Sequence, residues 1–310
     1  MYRLIAIDLD GTLLNSKGEV SEKNRNAIKQ AMNNGIEVVL CSGRVRSSVE
    51  SIATDIGANN YVISGNGAEV YDVKNKEILY KKFLTKEKTL EISKFCEDNS
   101  IFYSVHGENS IISSSLKHNI LVHNSENNKK PIEKRTNINI TENIYEYLKN
   151  SPYESFSKIT ICDGTEAIFK GIVEKLRKIK EIEVLDVAHM SNKTVEIGEE
   201  THNLQYYYTE TTAKNVNKWN AIEKLIEKLN ISKDEVVTIG DNINDKEMLQ
   251  NAGLGVVMGN GAPYIKEIGD VIVADNNNNG VEEAIIHYCL KKCGNQWQEY
   301  YENITFILHL

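Results

Sequence analysis

Three short apolar runs, Leu4–Ile7, Ile36–Leu40 and Tyr61–Ile63, alternate with stretches of helical spacing, and this alternation restricts the fold more than any other feature of the chain. Between the first two runs, Ser21 can cap a helix whose apolar face is Ala27, Ile28 and Ala31, and Gly35 ends it. A second helix is expected near Val45–Ile56. Buried strands separated by single helices argue for β-α-β units and a parallel sheet.

The pattern changes after about Tyr80. Helical stretches then lie near Lys86–Glu97, Glu142–Lys149 and Glu166–Lys178, and strand-like runs near Ile101–Val105, Ser157–Ile161 and Ile182–Asp186. The polar, Asn-rich region His123–Asn143 reads as loop. Past Lys218 the first pattern resumes. It has helices at Trp219–Leu229, Asp245–Asn251 and Gly280–Leu290, with strands at Glu235–Ile239, Leu254–Met258 and Val271–Ala274. A chain of 310 residues has room for two domains. The simplest account is one sheet domain, residues 1–83 and 194–290, interrupted by a mixed α/β insert at 84–193, with a tail at 291–310 that no pattern places.

Chemistry is concentrated at strand ends. Asp8-Leu9-Asp10-Gly11-Thr12 follows the first strand. Residues i and i+2 of a strand share a face, so two carboxylates converge where open α/β sheets build their sites. One carboxylate can attack phosphorus while the other moves the proton. Gly240-Asp241-Asn242-Ile243-Asn244-Asp245 follows a later strand, and carboxylates meeting from two strands suit Mg²⁺. Cys41-Ser42-Gly43-Arg44 offers a hydroxyl and backbone N–H groups ahead of a helix, which hold phosphate well.

In this order and spacing the chain resembles the haloacid dehalogenase-like hydrolases, and among them the Cof-type phosphatases with a large α/β cap. The resemblance rests on D-L-D-G-T at 8–12, S-G-R at 42–44, N-G-A at 66–68, V-N-K-W-N-A-I at 216–222, G-D-N-I-N-D-K-E-M-L at 240–249 and G-V-V-M-G-N at 255–260. It implies an α/β fold: a doubly wound, mostly parallel Rossmann-like core sheet with an inserted α/β cap domain. It also implies a Mg²⁺-dependent phosphatase acting on small phosphorylated metabolites such as sugar phosphates, phosphorylated cofactors or nucleotides. Asp8 would be the nucleophile that becomes an aspartyl-phosphate. Asp10 would be the acid and then the base. Asp8, Asp241 and the Asp10 carbonyl would hold Mg²⁺, with Asp245 supporting it through water or from behind. Ser42, Gly43, Lys218 and Asn244 would bind the phosphoryl oxygens.

The chain departs from the family pattern before Lys218. Glu196-Ile197 and Thr209-Glu210-Thr211 both resemble the family's Glu-Ile stretch, Lys214 competes with Lys218, and Trp219 stands where Gly is usual. Cap residues around Tyr103–Ser115 and His189–Asn192 are expected to face substrate. A phosphomutase is disfavoured, because about 29 residues between Thr12 and Ser42 leave no room for the cap such enzymes insert there. A sucrose- or mannosyl-type sugar-phosphate phosphatase shares the motifs and stays open, as does a non-catalytic ligand-binding protein on the same fold.

Composition narrows the remaining classes. With 36 Lys and Arg against 44 Asp and Glu, the net charge is −8, so there is no basic field for nucleic acid or an anionic membrane. No apolar run approaches the ~18 residues of a membrane span. The start of the chain carries no leader pattern, and a reduced, cytoplasmic setting is expected. Five cysteines form no C-x-x-C pair, which argues against zinc and disulfides; Cys289 and Cys293 lie four apart, a helical spacing that can bring two thiols onto one face. His106, His118, His123, His189 and His202 fit no zinc spacing and read as satisfied surface or rim residues. Oligomeric state is not legible.

Overall fold

A computed structural model describes residues 1–132, 135–185, 190–197 and 200–290. The tail from 291 on, with Cys293, and His189 lie outside the described residues.

The first sheet has eight strands. Its spatial order is Val271–Ile272, Leu254–Val257, Val236–Gly240, Leu4–Ile7, Glu37–Cys41, Tyr61–Ser64, Glu69–Asp72 and Glu77–Lys81. The first six run parallel, and the last two add an antiparallel hairpin that the sequence reading missed. Period-two alternation splits the strands between two helical layers. Ile5 and Ile7 pack with Ala27 and Ile28 of the Glu22–Asn33 helix and with Val49 and Ala53 of the Arg46–Ile56 helix. Leu4 and Ala6 face the other way, onto Trp219, Ile222 and Leu225 of the Lys218–Leu229 helix. Each fully buried Leu or Ile side chain contributes roughly 1.5–3 kcal/mol, so this three-layer core dominates stability. Ser21 caps its helix as expected, accepting from the Asn24 N–H at 3.2 Å.

Leu4–Ile7 is central, with Glu37–Cys41 on one side and Val236–Gly240 on the other. The chain therefore leaves the middle of the sheet in one direction and later returns to build the other half. At such a switch point the loops beyond the carboxyl ends diverge and leave a crevice. The Asp8–Thr12, Cys41–Arg44 and Gly240–Asp245 segments all open onto it.

The second sheet has seven strands. They are Phe102–His106, Ser110–Ser113, Asn137–Ile140, Lys158–Asp163, Ile182–Val184, Ser191–Ile197 and Glu200–Ala213. Tyr103, Val105, Ile159 and Ile161 point to an apolar face under the Lys86–Asp98, Ile144–Asn150 and Glu166–Leu176 helices. A short pairing of Leu84–Thr85 with Ser155–Phe156 marks the passage between the two units. Two sequence expectations shift here. The insert was read as ending at 193, but strand pairing keeps the chain in the second sheet to Ala213. That Tyr- and Thr-rich strand carries no strong apolar alternation to announce itself. The expected loop at His123–Asn143 starts within the His118–Asn128 helix and contains the Asn137–Ile140 strand. Ile120 and Ile138, packed with Val45 and Ile111, override the local preference of its many Asn residues.

Candidate active site

Asp8 ends the central strand and is only 4% exposed. Its Oδ1 accepts from the Lys218 Nζ at 2.5 Å, and the same ammonium donates to Asp245 Oδ1 at 2.5 Å. Lys218 starts its helix and is fully buried; Asn217 before it caps the helix by accepting from the Asn220 N–H. Lys214, the rival read from sequence, is exposed. Trp219 is buried in the core on the Leu4 side of the sheet, so the bulky residue at that position is accommodated by packing.

The second loop closes on the same point. Asp245 Oδ2 accepts from the backbone N–H groups of Asp241 and Asn242 at 3.0 and 3.1 Å, so both Asp245 oxygens are engaged. Asp241 accepts from Thr12 Oγ1 at 2.9 Å. Oxygens of Asp8, Asp241 and Asp245 lie within 4.8 Å of one another, and no histidine belongs to this group among the described residues. Gly11 makes the approach possible. Its φ of +89° suits glycine, and a Cβ there would sit 2.4 Å from Asp241 Oδ2.

Electrostatics follow from four carboxylates around one buried ammonium. Burial pushes the Asp8 carboxyl well above the usual carboxylate range; Lys218 opposes this, and Asp245, Asp241 and Asp10 add to it. Burial and then Asp245 push Asp241 up to about 7. Burial alone would lower Lys218, but Asp245 and Asp8 outweigh it and hold the ammonium protonated.

Asp10, expected beside Asp8, is exposed at the mouth, and Arg44 grips it. The guanidinium donates from Nε to Oδ2 at 2.8 Å and from a terminal nitrogen to Oδ1 at 2.6 Å. The same nitrogen lies 3.0 Å from Glu126 on the cap. Ser42 is buried and its Oγ accepts from the Arg44 N–H at 3.2 Å. Gly43 lies against Asn66, where a Cβ would meet Oδ1 at 2.7 Å. Asn66 accepts from the Asn244 side chain at 3.1 Å and donates to Glu210 of the cap.

Asp8, Asp10, Ser42, Gly43 and Asn244 all line one cavity, whose opposite wall is the cap. Asp241 opens onto the adjoining space, and Lys218 and Asp245 lie beneath the floor. On the cap wall Glu210 pairs with Lys158 and accepts from Thr160 at 3.4 Å. His106, read as a surface or rim residue, is instead buried in the cap sheet, against Ser104 and Thr160 at 3.1 and 3.2 Å. Its neighbour across the cavity wall, His123, is also drawn in, and burial pushes it down to about 4. Of the expected cap segments, His106 and Ile111 from the first and Met190, Ser191 and Asn192 from the second reach this space. Sequence reasoning gave no role to Arg44, Asn66, Lys158 or Glu126. Arg44 and Asn66 stood within the motifs already noted; Lys158 could be found only from strand register, which sets it beside His106.

Comparison with known proteins shows the family. A family model described as haloacid dehalogenase-like hydrolase matches residues 5–285. Phosphatase YwpJ of Bacillus subtilis is 32% identical over 294 residues, covering 92% of this chain and 99% of that protein. The 5-amino-6-(5-phospho-D-ribitylamino)uracil phosphatase YcsE of the same organism is 29% identical, covering 93% and 96%. A solved haloacid dehalogenase-like hydrolase from B. subtilis superposes with a TM-score of 0.76 at 27% identity, covering 92% and 99%. The chain therefore belongs to the haloacid dehalogenase-like hydrolases, as a phosphatase of the Cof-type branch with a large α/β cap.

Proposed function

We propose that this enzyme is a Mg²⁺-dependent phosphomonoesterase for small phosphorylated metabolites, working through an aspartyl-phosphate on Asp8. The observation that carries the reading is the Asp8–Lys218–Asp245 contact at the base of a cavity walled by the cap. A nucleophilic carboxylate held by an ammonium, beside a hydroxyl and amides suited to phosphate, supplies what phosphoryl transfer asks of a protein: position and charge neutralisation.

The donor set fits a hard cation. Three carboxylate oxygens converge, one ammonium offsets only part of their charge, and burial and then Asp245 push Asp241 up to about 7. Asp8, Asp241 and the Asp10 carbonyl would hold the ion, while Asp245, both oxygens engaged, positions Lys218 and the Asp241 loop. When bound, Mg²⁺ offsets the repulsion between the attacking carboxylate and the phosphate.

In this reading Asp8 Oδ attacks phosphorus and the P–O bond to the alcohol breaks. Asp10 gives its proton to the departing oxygen, then takes one from water as the water attacks the aspartyl-phosphate. The Arg44 fork fixes the Asp10 carboxylate; each of its oxygens keeps a further lone pair. Ser42, the Gly43 amide, Lys218 and Asn244 meet the phosphoryl oxygens. The cap side excludes bulk water.

The test is hydrolysis of p-nitrophenyl phosphate with Mg²⁺ and then with EDTA, in the wild type and in Asp8→Asn. Activity that vanishes in both the chelated enzyme and the variant is expected. Full turnover by Asp8→Asn would remove the mechanism, and no metal-dependent release by the wild type would favour a ligand-binding protein.

A further inference from the structure

The segment that follows Gly43 is where the core is docked most closely on the cap. Arg44 stands between two carboxylates: one terminal nitrogen of its guanidinium lies 2.6 Å from Asp10 and 3.0 Å from Glu126. The Arg44 side chain is 9% exposed, so the two carboxylates enclose it, one from each unit. Val45, next in the chain, is buried with Ile111 and Ile120 of the cap. Both grips come from one cap helix, His118–Asn128, on which Ile120 meets Val45 and Glu126 meets Arg44. Asn119, His123 and Glu126 of that helix line the space beside Asp10, at a spacing that puts them on one face. Two further contacts close the same seam: the Arg46 N–H donates to the Glu108 carbonyl at 3.1 Å, and Lys130 of the cap donates to Ser48 Oγ at 3.4 Å.

We propose that Glu126 of the cap is a positioning residue for Asp10: it holds Arg44 from the far side, so that the Asp10 carboxyl is aimed at the leaving oxygen only while the His118–Asn128 helix is seated on the core. This rests on the phosphatase reading and deepens it. Asp10 is half exposed at the cavity mouth, and an ion pair at such a place fixes little by itself, because a long, rotatable side chain moves with its partner. A planar guanidinium gripped at both edges is different. Its donors lie in a rigid fork, so Glu126 fixes the plane and the plane fixes both Asp10 oxygens. Moving the helix away would withdraw Glu126 and the apolar seat of Val45 together, and Arg44 would hydrate. The step that suffers is proton donation. As the bond from Asp8 Oδ to phosphorus forms and the bond from phosphorus to the alcohol oxygen breaks, the Asp10 proton passes to that oxygen, which requires hydrogen-bond reach. A leaving group stable as an anion departs without that proton.

The experiment compares p-nitrobenzyl phosphate with p-nitrophenyl phosphate, in the full chain with Mg²⁺. The two esters differ by a single CH₂, but p-nitrobenzyl alcohol must be protonated as it leaves and p-nitrophenolate need not be. Their kcat/KM values report the steps up to loss of the alcohol, before water attacks. Glu126→Ala is expected to lower kcat/KM for the benzyl ester by about tenfold or more, within what a positioned acid supplies, and to keep that for the phenyl ester within about threefold. The phenyl ester thus also shows that the variant is folded. In an Arg44→Met background, adding Glu126→Ala should move the ratio of the two values little further, because the residue acts through Arg44. Equal losses on both esters, no loss on either, or an undiminished second loss in the Arg44→Met background overturns the proposal. So does a wild type that cleaves only the phenyl ester, since it has no acid to position. A phenyl-ester activity that needs Mg²⁺ and vanishes in Asp8→Asn keeps the phosphatase reading whatever Glu126→Ala does, whereas a wild type that cleaves neither ester removes both.

Discussion

Asp241 illustrates how one residue ties chemistry to stability. In the metal-free protein its carboxyl is pushed up to about 7, while the unfolded value is about 4. The folded state then holds a proton that the unfolded state releases between those limits. The Asp241 contribution is therefore fullest below about pH 4 and is lost as pH rises to about 7. If Asp241 holds Mg²⁺ as proposed, the ion must displace that proton, so added Mg²⁺ should raise the melting temperature more at pH 8 than at pH 5. Equal shifts at the two pH values, by calorimetry, would contradict this. The residues in play were legible because motif and strand end coincide: Asp8, Asp241 and Asp245 each stand at a turn that the sequence itself announces. Arg44 was legible as a letter of S-G-R but not as a grip on Asp10, because a side chain reaching across a crevice leaves no periodic trace.

At the scale of elements, the core helices and parallel strands were readable from apolar spacing. The Lys218–Leu229 helix shows the consequence for function: its buried face sets it on the sheet, and its first residue is Lys218. Asn217→Ala removes the cap and should cost about 1 kcal/mol. Urea unfolding would measure this, and turnover should fall as well, because the frayed turn is the one that carries the ammonium. An unchanged midpoint would show that the cap contributes nothing. The cap strands were less readable. The strand Glu200–Ala213 pairs with Ser191–Ile197 near its start and with Lys158–Asp163 near its end, so no single face is uniformly apolar along its length. The Glu69–Asp72 and Glu77–Lys81 hairpin was missed for the opposite reason, since its outer strand is mostly exposed and carries little pattern.

For the whole molecule, the question is what holds cap against core. Arg46, at the start of a core helix, lies 3.1 Å from Glu69 of the core and 3.3 Å from Glu108 of the cap, and Lys81 also pairs with Glu108. Glu69 is 1% exposed and Glu108 is near the surface. The two ends of this cluster should therefore respond differently. Arg46→Met strands a buried carboxylate and should cost about 3–5 kcal/mol, whereas Glu108→Gln should cost about 1 kcal/mol or less. Chemical denaturation of both variants checks the contrast, and equal losses would refute it. That two units are present was readable from the interrupted alternation; how they meet was not, because ion pairs between distant segments follow from topology and not from local spacing. Asn66, which Gly43 approaches within the core, also joins the units, since it reaches both Asn244 of the core and the cap's Glu210. Its consequence is epistasis. Gly43→Ala would drive a methyl into the Asn66 amide and should depress turnover severely in the native background. In an Asn66→Gly background, where φ of 58° is tolerated and the obstructing amide is gone, the same substitution should do little further harm. Selection would then see the two positions as a single locus, and additive losses in the double variant would dissolve it into two.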